Sequence, residues 1–466
     1  MSLKSVDVPA GDIEQHLYAK RQRIYPREVH GVFAWLRTTA VLVLLGLYYG
    51  IPWLRWDQHQ AILFDLPGRK FHLFALTIWP QDFIYLAGLL IIAALALFFF
   101  TALAGRLWCG FACPQTVWTE AFMWMERHIE GDRARRMKLD QMPWSAYKVG
   151  IKSLKHGVWI VFALWTGFTF VGYFTPILEL ALKITSFSTG PWETFWVVFY
   201  AFATYGNAGW MREQVCIYMC PYARFQSAMF DRNTLIISYD DKRGDPRGSR
   251  RHDADPATQG LGHCIDCTLC VQVCPTGIDI RDGLQYQCIG CAACIDACDG
   301  VMDKMHYPKG LIRYTTENAL EGVKTKLLRP RVIVYAVVLM LLTSAVFWGI
   351  ATRDLVSLDV IRDRNALYRE TIEGLIENVY TLKVINKGGG NSVFTVSIDG
   401  LEGAQVLSDG RQVAVAEGEV RDVVVRVQVD PVYLERRSSV LSFTVTSTQG
   451  RLSATEPARF LGPLVQ

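Results

Sequence analysis

Two consecutive runs of cysteines constrain this 466-residue chain more than any other feature of its sequence. All twelve cysteines lie in spaced clusters, and eight of them form two runs of the type Cys-x2-Cys-x2-Cys-x3-Cys. The runs consist of Cys264, Cys267, Cys270 and Cys274, followed by Cys288, Cys291, Cys294 and Cys298. This spacing is typical of proteins that bind two [4Fe–4S] clusters, because three thiolates from one loop reach three irons of a cubane.

The fourth cysteine of each run is predicted to bind the cluster of the other run, as in bacterial ferredoxins with two clusters. The first cluster is therefore assigned to Cys264, Cys267, Cys270 and Cys298, and the second to Cys288, Cys291, Cys294 and Cys274. Two four-cysteine zinc sites are the alternative interpretation. The repeated triple spacing favours iron and sulfur, although Asp299 rather than proline follows the last cysteine.

Five apolar stretches predict a membrane protein, since a membrane-spanning helix needs about 20 apolar residues. The predicted spans are 38–54, 83–103, 157–174, 195–210 and 332–350, and the fourth is at the lower limit of length. None of them contains an internal charged residue. The first thirty residues lack the apolar region of a cleavable signal, so the first span is expected to remain as an anchor.

The distribution of basic residues predicts how the chain is oriented in the membrane. Lysine and arginine are concentrated before the first span and between the second and third spans, and such segments stay in the cytoplasm. We therefore expect a multi-pass protein of the bacterial inner membrane, with a cytoplasmic N-terminus and a periplasmic C-terminal domain. All twelve cysteines then lie on the reducing side. The basic clusters match no nucleic-acid-binding module, so the lipid membrane is the expected partner.

The last hundred residues differ in character from the rest of the chain. Apolar residues alternate with polar ones at 380–384, 394–398, 423–429 and 441–445, which predicts half-buried strands. Several short strands separated by turn residues indicate an immunoglobulin-like β-sandwich. This region contains no cysteine, so its core is expected to hold without a disulfide.

Two further cysteine motifs follow the second and fourth predicted spans. They are Cys109-x3-Cys113-Pro and Cys216-x3-Cys220-Pro. Both spans are predicted to run inward, so both motifs reach the cytoplasmic face at similar depth, and residues four apart share one face of a helix. A copper(I) site, a third [4Fe–4S] cluster and unliganded thiols are the three interpretations that remain open. If copper binds there, Met219 is a weak candidate for an additional ligand.

Together these features resemble the family of CcoG, also called FixG or RdxA, polyferredoxin-type accessory proteins of cytochrome c oxidase. The string Cys-Pro-Thr-Gly-Ile-Asp-Ile-Arg-Asp-Gly at 274–283 is particularly similar to that family. The resemblance implies an oxidoreductase that reduces Cu(II) to Cu(I) during assembly of the cbb-type oxidase. It also implies transient copper at the paired cysteines and contact with a copper chaperone or transporter and with oxidase assembly factors. The electron donor and the catalytic residues are not implied.

Two alternative functions remain open. The membrane and ferredoxin parts also resemble NapH-type quinol dehydrogenases, which lack the external sandwich, so a quinol-oxidising electron-transfer subunit is one alternative. A non-enzymatic assembly scaffold with structural clusters is the other.

The expected fold is an integral membrane α-helical bundle of five spans with a bacterial-type 2[4Fe–4S] ferredoxin insert and a C-terminal immunoglobulin-like β-sandwich. The expected segments are a cytoplasmic N-terminal segment (1–37), a four-span membrane domain (38–234), the ferredoxin insert (235–310), a linker with the fifth span (311–351) and the periplasmic sandwich (352–466).

Overall fold

A computed structural model describes residues 23–56, 59–252, 256–388, 390–408, 412–450 and 452–463 of the chain. The chain divides into two compact units. The first unit comprises Met1–Asp65 and Leu90–Leu342, and the second comprises Leu66–Leu89 and Thr343–Gln466.

The first part of the chain is mainly helical. In chain order its elements are α1 (Val32–Gly50), a 3-10 helix (Ile51–Trp53), β1 (Arg55–Trp56), β2 (His59–Gln60), β3 (Ile62–Asp65), β4 (Lys70–Leu73), β5 (Leu76–Ile78), a 3-10 helix (Pro80–Asp82), α2 (Phe83–Ala104), α3 (Leu107–Phe111), α4 (Pro114–Glu130), α5 (Arg133–Gln141), α6 (Ala146–Val171), α7 (Ile177–Thr185), α8 (Pro191–Thr204), a first π-helix (Tyr205–Met211), a second π-helix (Val215–Met219) and α9 (Pro221–Met229).

The ferredoxin insert and the last long helix follow. Their elements are β6 (Ile236–Tyr239), α10 (Asp241–Gly244), a 3-10 helix (Ala257–Gln259), α11 (Leu269–Gln272), a 3-10 helix (Ile280–Asp282), α12 (Ala293–Lys304), β7 (Ile312–Thr315), α13 (Glu317–Leu320) and α14 (Pro330–Ala351). Strand β6 pairs antiparallel with β7, which lies just past the predicted end of the insert at residue 310. Both ends of the insert are therefore joined by one two-stranded sheet.

Within the described residues, four helices are long and apolar enough to cross a membrane: Val32–Trp53, Phe83–Ala104, Ala146–Val171 and Pro330–Ala351. They correspond to the first, second, third and fifth predicted spans, and the chain has the character of a membrane protein. The fourth predicted span, 195–210, does not reach the same length. Its α-helical part, α8, covers about 21 Å at 1.5 Å per residue, against a hydrocarbon core of about 30 Å. The crossing of the membrane by 195–210, and with it the total of five spans, therefore stays a prediction.

The predicted immunoglobulin-like sandwich is present in the second unit. Its strands are β8 (Val356–Arg362), β9 (Arg369–Glu370), β10 (Ile376–Asn386), β11 (Ser392–Asp399), β12 (Gln405–Ser408), β13 (Gln412–Val415), β14 (Val420–Val429), β15 (Ser438–Ser447) and β16 (Ser453–Leu461), with a 3-10 helix at Pro431–Tyr433. One sheet has the order β12-β14-β10-β8 with β9 beside β10, and the other has the order β13-β11-β15-β16.

Alternation places one face of each strand in a common core. Tyr380, Leu382, Phe394 and Phe443 are fully buried in it. The Tyr380 ring meets the Phe443 ring at 4.9 Å between centroids, and its hydroxyl donates to the Arg459 carbonyl at 3.0 Å. The core is therefore closed by packing and a satisfied buried hydroxyl, with no disulfide among the described residues.

Candidate iron–sulfur and thiol site

The ferredoxin insert contains a small apolar cavity surrounded by the cysteines assigned to the first cluster. Its walls include Cys264, Cys267, Cys270 and Cys298, together with Ile265, Val301, Met302 and Leu311. Cys274, the last cysteine of the first run, does not line this cavity. The fourth thiol comes instead from the second run.

A second small cavity lies beside the first. It is lined by Cys274, Cys288, Cys291 and Cys294, with Ile237, Ile278 and Ile280 among its apolar neighbours. Cys270 lines both cavities, so the two cavities are immediate neighbours. The structure thus brings together the two crossed sets of four cysteines that the spacing predicts.

The backbone of each run turns in the same way around its cavity. In the first run Asp266 and Thr268 have φ of 52° and 56°, and in the second run Gly290 and Ala292 have φ of 71° and 60°. These pairs flank the second cysteine of their runs at equivalent positions. Three of the four are not glycine, and left-handed conformations at such residues cost about 1–3 kcal/mol each unless the surroundings impose them. A group bound by the thiolates would supply that constraint.

The donor set of each cavity fits a [4Fe–4S] cluster. Four thiols surround one apolar cavity in each case, and a cubane takes one thiolate on each of its four irons.

Burial controls the protonation of these thiols. Removal from water raises the pKa of Cys270 to about 11 and the pKa values of Cys291 and Cys298 to about 12. At neutral pH the unliganded thiols are protonated, so binding of metal as thiolate releases protons.

Proline fixes the position of the second cysteine in each paired motif. Pro114 and Pro221 occupy the first turns of α4 and α9, where the missing N–H costs nothing. Cys113 and Cys220 are the preceding N-cap residues and have extended backbones. Burial raises the pKa of Cys113, although backbone N–H groups at Gln115 and Thr116 lower it in part. A thiolate at the N-cap position is stabilised by the positive end of the helix dipole.

Cysteines of the two paired motifs lie close together. Cys109 and Cys216 pack into one apolar cluster that also contains Ile289 and the predicted cluster ligand Cys291. Burial raises the pKa of Cys109 to about 11 and that of Cys216 to about 12, and the nearby cysteines of both motifs add to this rise. The paired motifs therefore form one thiol group beside the second cavity.

Met219 does not belong to that apolar cluster. It lies between Cys216 and Cys220 on the second π-helix, and 57% of its surface is exposed. Its role as a copper ligand stays a prediction.

Sequence reasoning gave no sign of the two π-helices, the second of which carries Cys216. Between them, Arg212 has φ of 42° and is buried, and its guanidinium donates to Glu126 at 2.8 Å. Such π-helices and strained residues are concentrated at functional sites. They place Cys216 off the regular helical path that the i, i+4 argument assumed.

Arg106 joins the paired motifs to the insert. Its guanidinium donates to the carbonyl groups of Cys288 at 2.8 Å and of Ala223 at 2.7 Å, and also to that of Tyr286. The side chain is buried, and its Nε has no partner among the described residues. A positive charge is thus held between α9 and the loop of the second cavity.

Two glycines allow close contact between α3 and the cluster loop. A Cβ on Gly110 would lie 2.6 Å from the Gly290 carbonyl oxygen and 3.0 Å from the Cys291 Cα. A Cβ on Gly290 would lie 3.0 Å from the Arg106 carbonyl oxygen. The backbone after Cys109 therefore touches the backbone of a predicted cluster ligand.

The start of α1 is attached to the insert as well. Asp296, in α12, accepts hydrogen bonds from the backbone N–H groups of Phe33 at 3.2 Å and Ala34 at 2.6 Å. Arg37 donates to the Cys291 carbonyl at 3.1 Å. The insert is therefore fixed to the first apolar helix and to α3.

Comparisons with known proteins agree with this architecture. A family model described as "4Fe-4S dicluster domain" matches residues 211–317, one described as "4Fe-4S binding domain" matches 86–131, and one described as an "IG-like fold at C-terminal of FixG" matches 346–463. The nitrogen fixation protein FixG of Rhizobium meliloti is 38% identical over 97% of this chain and 92% of its own length. Protein RdxA of Cereibacter sphaeroides is 42% identical over 85% of this chain and 87% of its own length.

The chain belongs to the FixG family. This confirms the resemblance drawn from the cysteine motifs, and the FixG-family chain is an iron–sulfur electron-transfer protein. A solved structure of a FixG-related protein from Vibrio parahaemolyticus is 30% identical, covers 24% of this chain and 100% of its own, and has a TM-score of 0.22.

Proposed function

We propose that this FixG-family protein is a cupric reductase that transfers single electrons from its [4Fe–4S] clusters to copper held by Cys109, Cys113, Cys216 and Cys220. The observation that supports this function is the packing of Cys109 and Cys216 against Cys291 in one apolar cluster. An electron on the second cluster would then lie next to the thiols that hold its acceptor.

The number of electrons that a cluster donates equals the number that copper accepts. A reduced [4Fe–4S] cluster gives up one electron, and Cu(II) accepts one electron to become Cu(I). No proton or second electron is needed. Thiolates are soft ligands that favour the Cu(I) product, and a pair of them is enough to hold it. The buried Arg106 charge lies between the two groups and favours the electron-rich state of each.

We further propose the cellular setting that the family resemblance implies. The protein would act in the bacterial inner membrane during assembly of a cbb-type oxidase, with its clusters in the cytoplasm and its sandwich in the periplasm. A copper chaperone or transporter would exchange copper with it, because a thiolate site that kept its product would stop after one turnover.

Reduction of copper by the isolated full-length protein tests the proposal. Protein reduced with dithionite and freed of excess reductant is mixed with Cu(II) and a Cu(I)-specific chelator. We expect Cys291→Ala to lose the second cluster and Cu(I) formation. Cys109→Ser with Cys216→Ser should keep the iron and lose Cu(I) formation, while Met219→Leu tests whether this weak candidate ligand contributes. Normal Cu(I) formation by the double serine variant would refute the copper site.

A third [4Fe–4S] cluster at the paired cysteines is the second candidate. The specific observation in its favour is that a 4Fe-4S binding family model covers 86–131, a segment that contains Cys109 and Cys113. Iron analysis distinguishes the two candidates, because two clusters give about eight irons per chain and three give about twelve. Loss of about four irons in the Cys109→Ser and Cys216→Ser variant would favour the third cluster over copper.

A further inference from the structure

A cavity of about 410 Å³ in the first unit opens beside the thiol group. Cys216 and Cys291 form part of its wall, so one cavity borders both a thiol of the paired motifs and a predicted cluster ligand. Arg37, Arg127 and Glu120 also line it. Its volume falls in the range of sites that bind small organic ligands.

A second cavity of about 500 Å³ continues from the first, and the two share Arg27, Glu28 and Arg127. The second cavity adds Arg133 and Arg136 to the wall. Together the two cavities are lined by six arginines and four carboxylates, namely Arg27, Arg37, Arg127, Arg133, Arg136 and Arg212 with Glu28, Glu120, Asp132 and Glu213. Positive charge is in excess at the second cavity, where four arginines face two carboxylates.

Several of these guanidinium groups are held by neutral partners or share one carboxylate. Arg133 donates to the Tyr25 carbonyl at 2.9 Å, whereas Arg136 donates both to the Pro26 carbonyl at 2.7 Å and to the carboxylate of Glu126 at 3.3 Å. Arg136 is almost completely buried, and its Nε has no partner among the described residues. Arg37 and Arg127 share Glu120 at 3.8 and 3.7 Å.

The Tyr25 carbonyl thus orients Arg133 without neutralising it, whereas Arg136 is paired with Glu126. A guanidinium group without a carboxylate partner can bind a phosphate, which accepts paired hydrogen bonds from it.

The predicted cluster ligand Cys291 in the wall of the first cavity limits which kind of electron donor the cavity can use. A [4Fe–4S] cluster accepts one electron at a time. A donor seated against Cys291 must therefore release its electrons singly, which a reduced flavin does and a hydride carrier does not. A quinol also releases single electrons, but it carries no phosphate for the arginines.

We propose that the joined cavities bind reduced flavin mononucleotide as the electron donor, with its phosphate between Arg127 and Arg133 and its ring toward Cys216 and Cys291. This inference rests on the proposed function, for which it supplies the source of electrons. The reduced flavin loses two electrons and two protons and becomes the oxidised flavin. Each electron reduces one of the two clusters, and the protons leave to water at the open side, where Glu28 and His30 are exposed.

Binding of the oxidised nucleotide to the full-length protein in detergent is the first test, with flavin fluorescence as the readout. We expect flavin mononucleotide to bind at least about 10-fold more tightly than riboflavin, since a charge-assisted hydrogen bond contributes about 1.5–3 kcal/mol. Arg133→Gln should remove most of that preference, Arg133→Lys should keep part of it, and Arg331→Gln, outside the cavities, should leave it unchanged. Equal binding of the two flavins, or no binding, would overturn the proposal.

The second test separates a nucleotide from a lipid headgroup and from failure of the copper reaction. Micelles containing phosphatidylglycerol should not displace the flavin; a site that takes this lipid and excludes the nucleotide would overturn the proposal. Photoreduced flavin mononucleotide should bleach the visible absorbance of the clusters in the wild type, and much more slowly in Arg133→Gln. Dithionite-driven Cu(I) formation should be the same in both. If the clusters accept electrons from the flavin but no Cu(I) forms, the donor site stands and the copper function fails.

Discussion

Gly110 shows how one missing side chain governs the contact between the paired cysteines and the second cluster site. An added methyl group would meet the Gly290 carbonyl at 2.6 Å, and both partners are backbone, so neither can rotate away. We expect Gly110→Ala to weaken this contact by about 1–3 kcal/mol and to slow Cu(I) formation while the iron content stays normal. Stopped-flow reduction measures the effect. Gly157→Ala, where nothing lies within 4 Å, is the matched control and should behave like the wild type.

Arg106 places a positive charge at the same contact between the paired cysteines and the second cluster site. Its buried guanidinium binds the Cys288 carbonyl and lowers the pKa of Cys109, against the larger effect of burial. A positive charge stabilises the reduced cluster, so Arg106→Gln should lower the cluster potential by on the order of 50 mV, where 59 mV corresponds to about 1.4 kcal/mol for one electron. Potentiometric titration measures the shift. Arg106→Lys should recover part of it, and equal potentials in all three proteins would contradict the charge argument.

Glu126 anchors a buried charge network next to Arg212. Burial alone would raise its pKa, but Arg212 and Lys155 lower it to about 2 from an ordinary value of 4.5. A carboxyl with a lowered pKa stabilises the fold above pH 4.5, and this stabilisation of about 3 kcal/mol is lost as the pH falls toward 2. Glu126→Gln should cost about 3–5 kcal/mol at neutral pH, because it leaves buried cations unpaired.

Thermal unfolding across this pH range checks both statements. The wild type should become less stable between pH 4.5 and 2, and the variant should have lost most of that pH dependence. Glu179→Gln, an exposed carboxylate in α7 paired with Lys183, is the control and should change stability by less than about 1 kcal/mol.

At the level of elements, α12 caps α1. Both carboxylate oxygens of Asp296 accept backbone N–H groups that the first turn of α1 leaves without helical partners. We expect Asp296→Ala to destabilise the first unit by about 1–2 kcal/mol and to loosen the insert from the first apolar helix. Amide hydrogen exchange at 33–37 reports the loosening. Asp303→Ala, in the same helix and paired with exposed Lys309, should leave these amides protected.

The helices, strands and loops also show which features could be predicted from the sequence and which could not. The crossed cysteine sets follow from spacing within short loops, and the sandwich follows from alternation within single strands. The two π-helices, the strained Arg212 and the Arg106 bridge depend on contacts between distant segments, and no local pattern encodes them. The π-helix at the end of the fourth predicted span could not be predicted either, because apolar composition at 195–210 does not reveal where α-helix gives way to π-helix.

For the whole molecule, the division into two units predicts that the insert depends on iron for its stability and that the sandwich does not. The insert has a small apolar core around its cysteine cavities, whereas the sandwich buries Tyr380, Phe394 and Phe443 in a core without cysteines. Within the second unit, the sandwich is also tied to the segment before α2 by a buried ion pair between Lys387 and Asp82 at 2.9 Å. Its core is therefore held by apolar packing, and we expect its stability to be independent of iron.

Removal of iron should expose this difference. Because thiolate–iron bonds supply folding energy to the insert, chelation under reducing conditions should unfold it and abolish its thermal transition. The transition of the second unit should remain at the same temperature. Calorimetry before and after chelation measures both, and Lys387→Ala is the reciprocal control, since it should lower only the transition that survives chelation. A single transition that disappears with the iron would mean that the two units do not unfold independently.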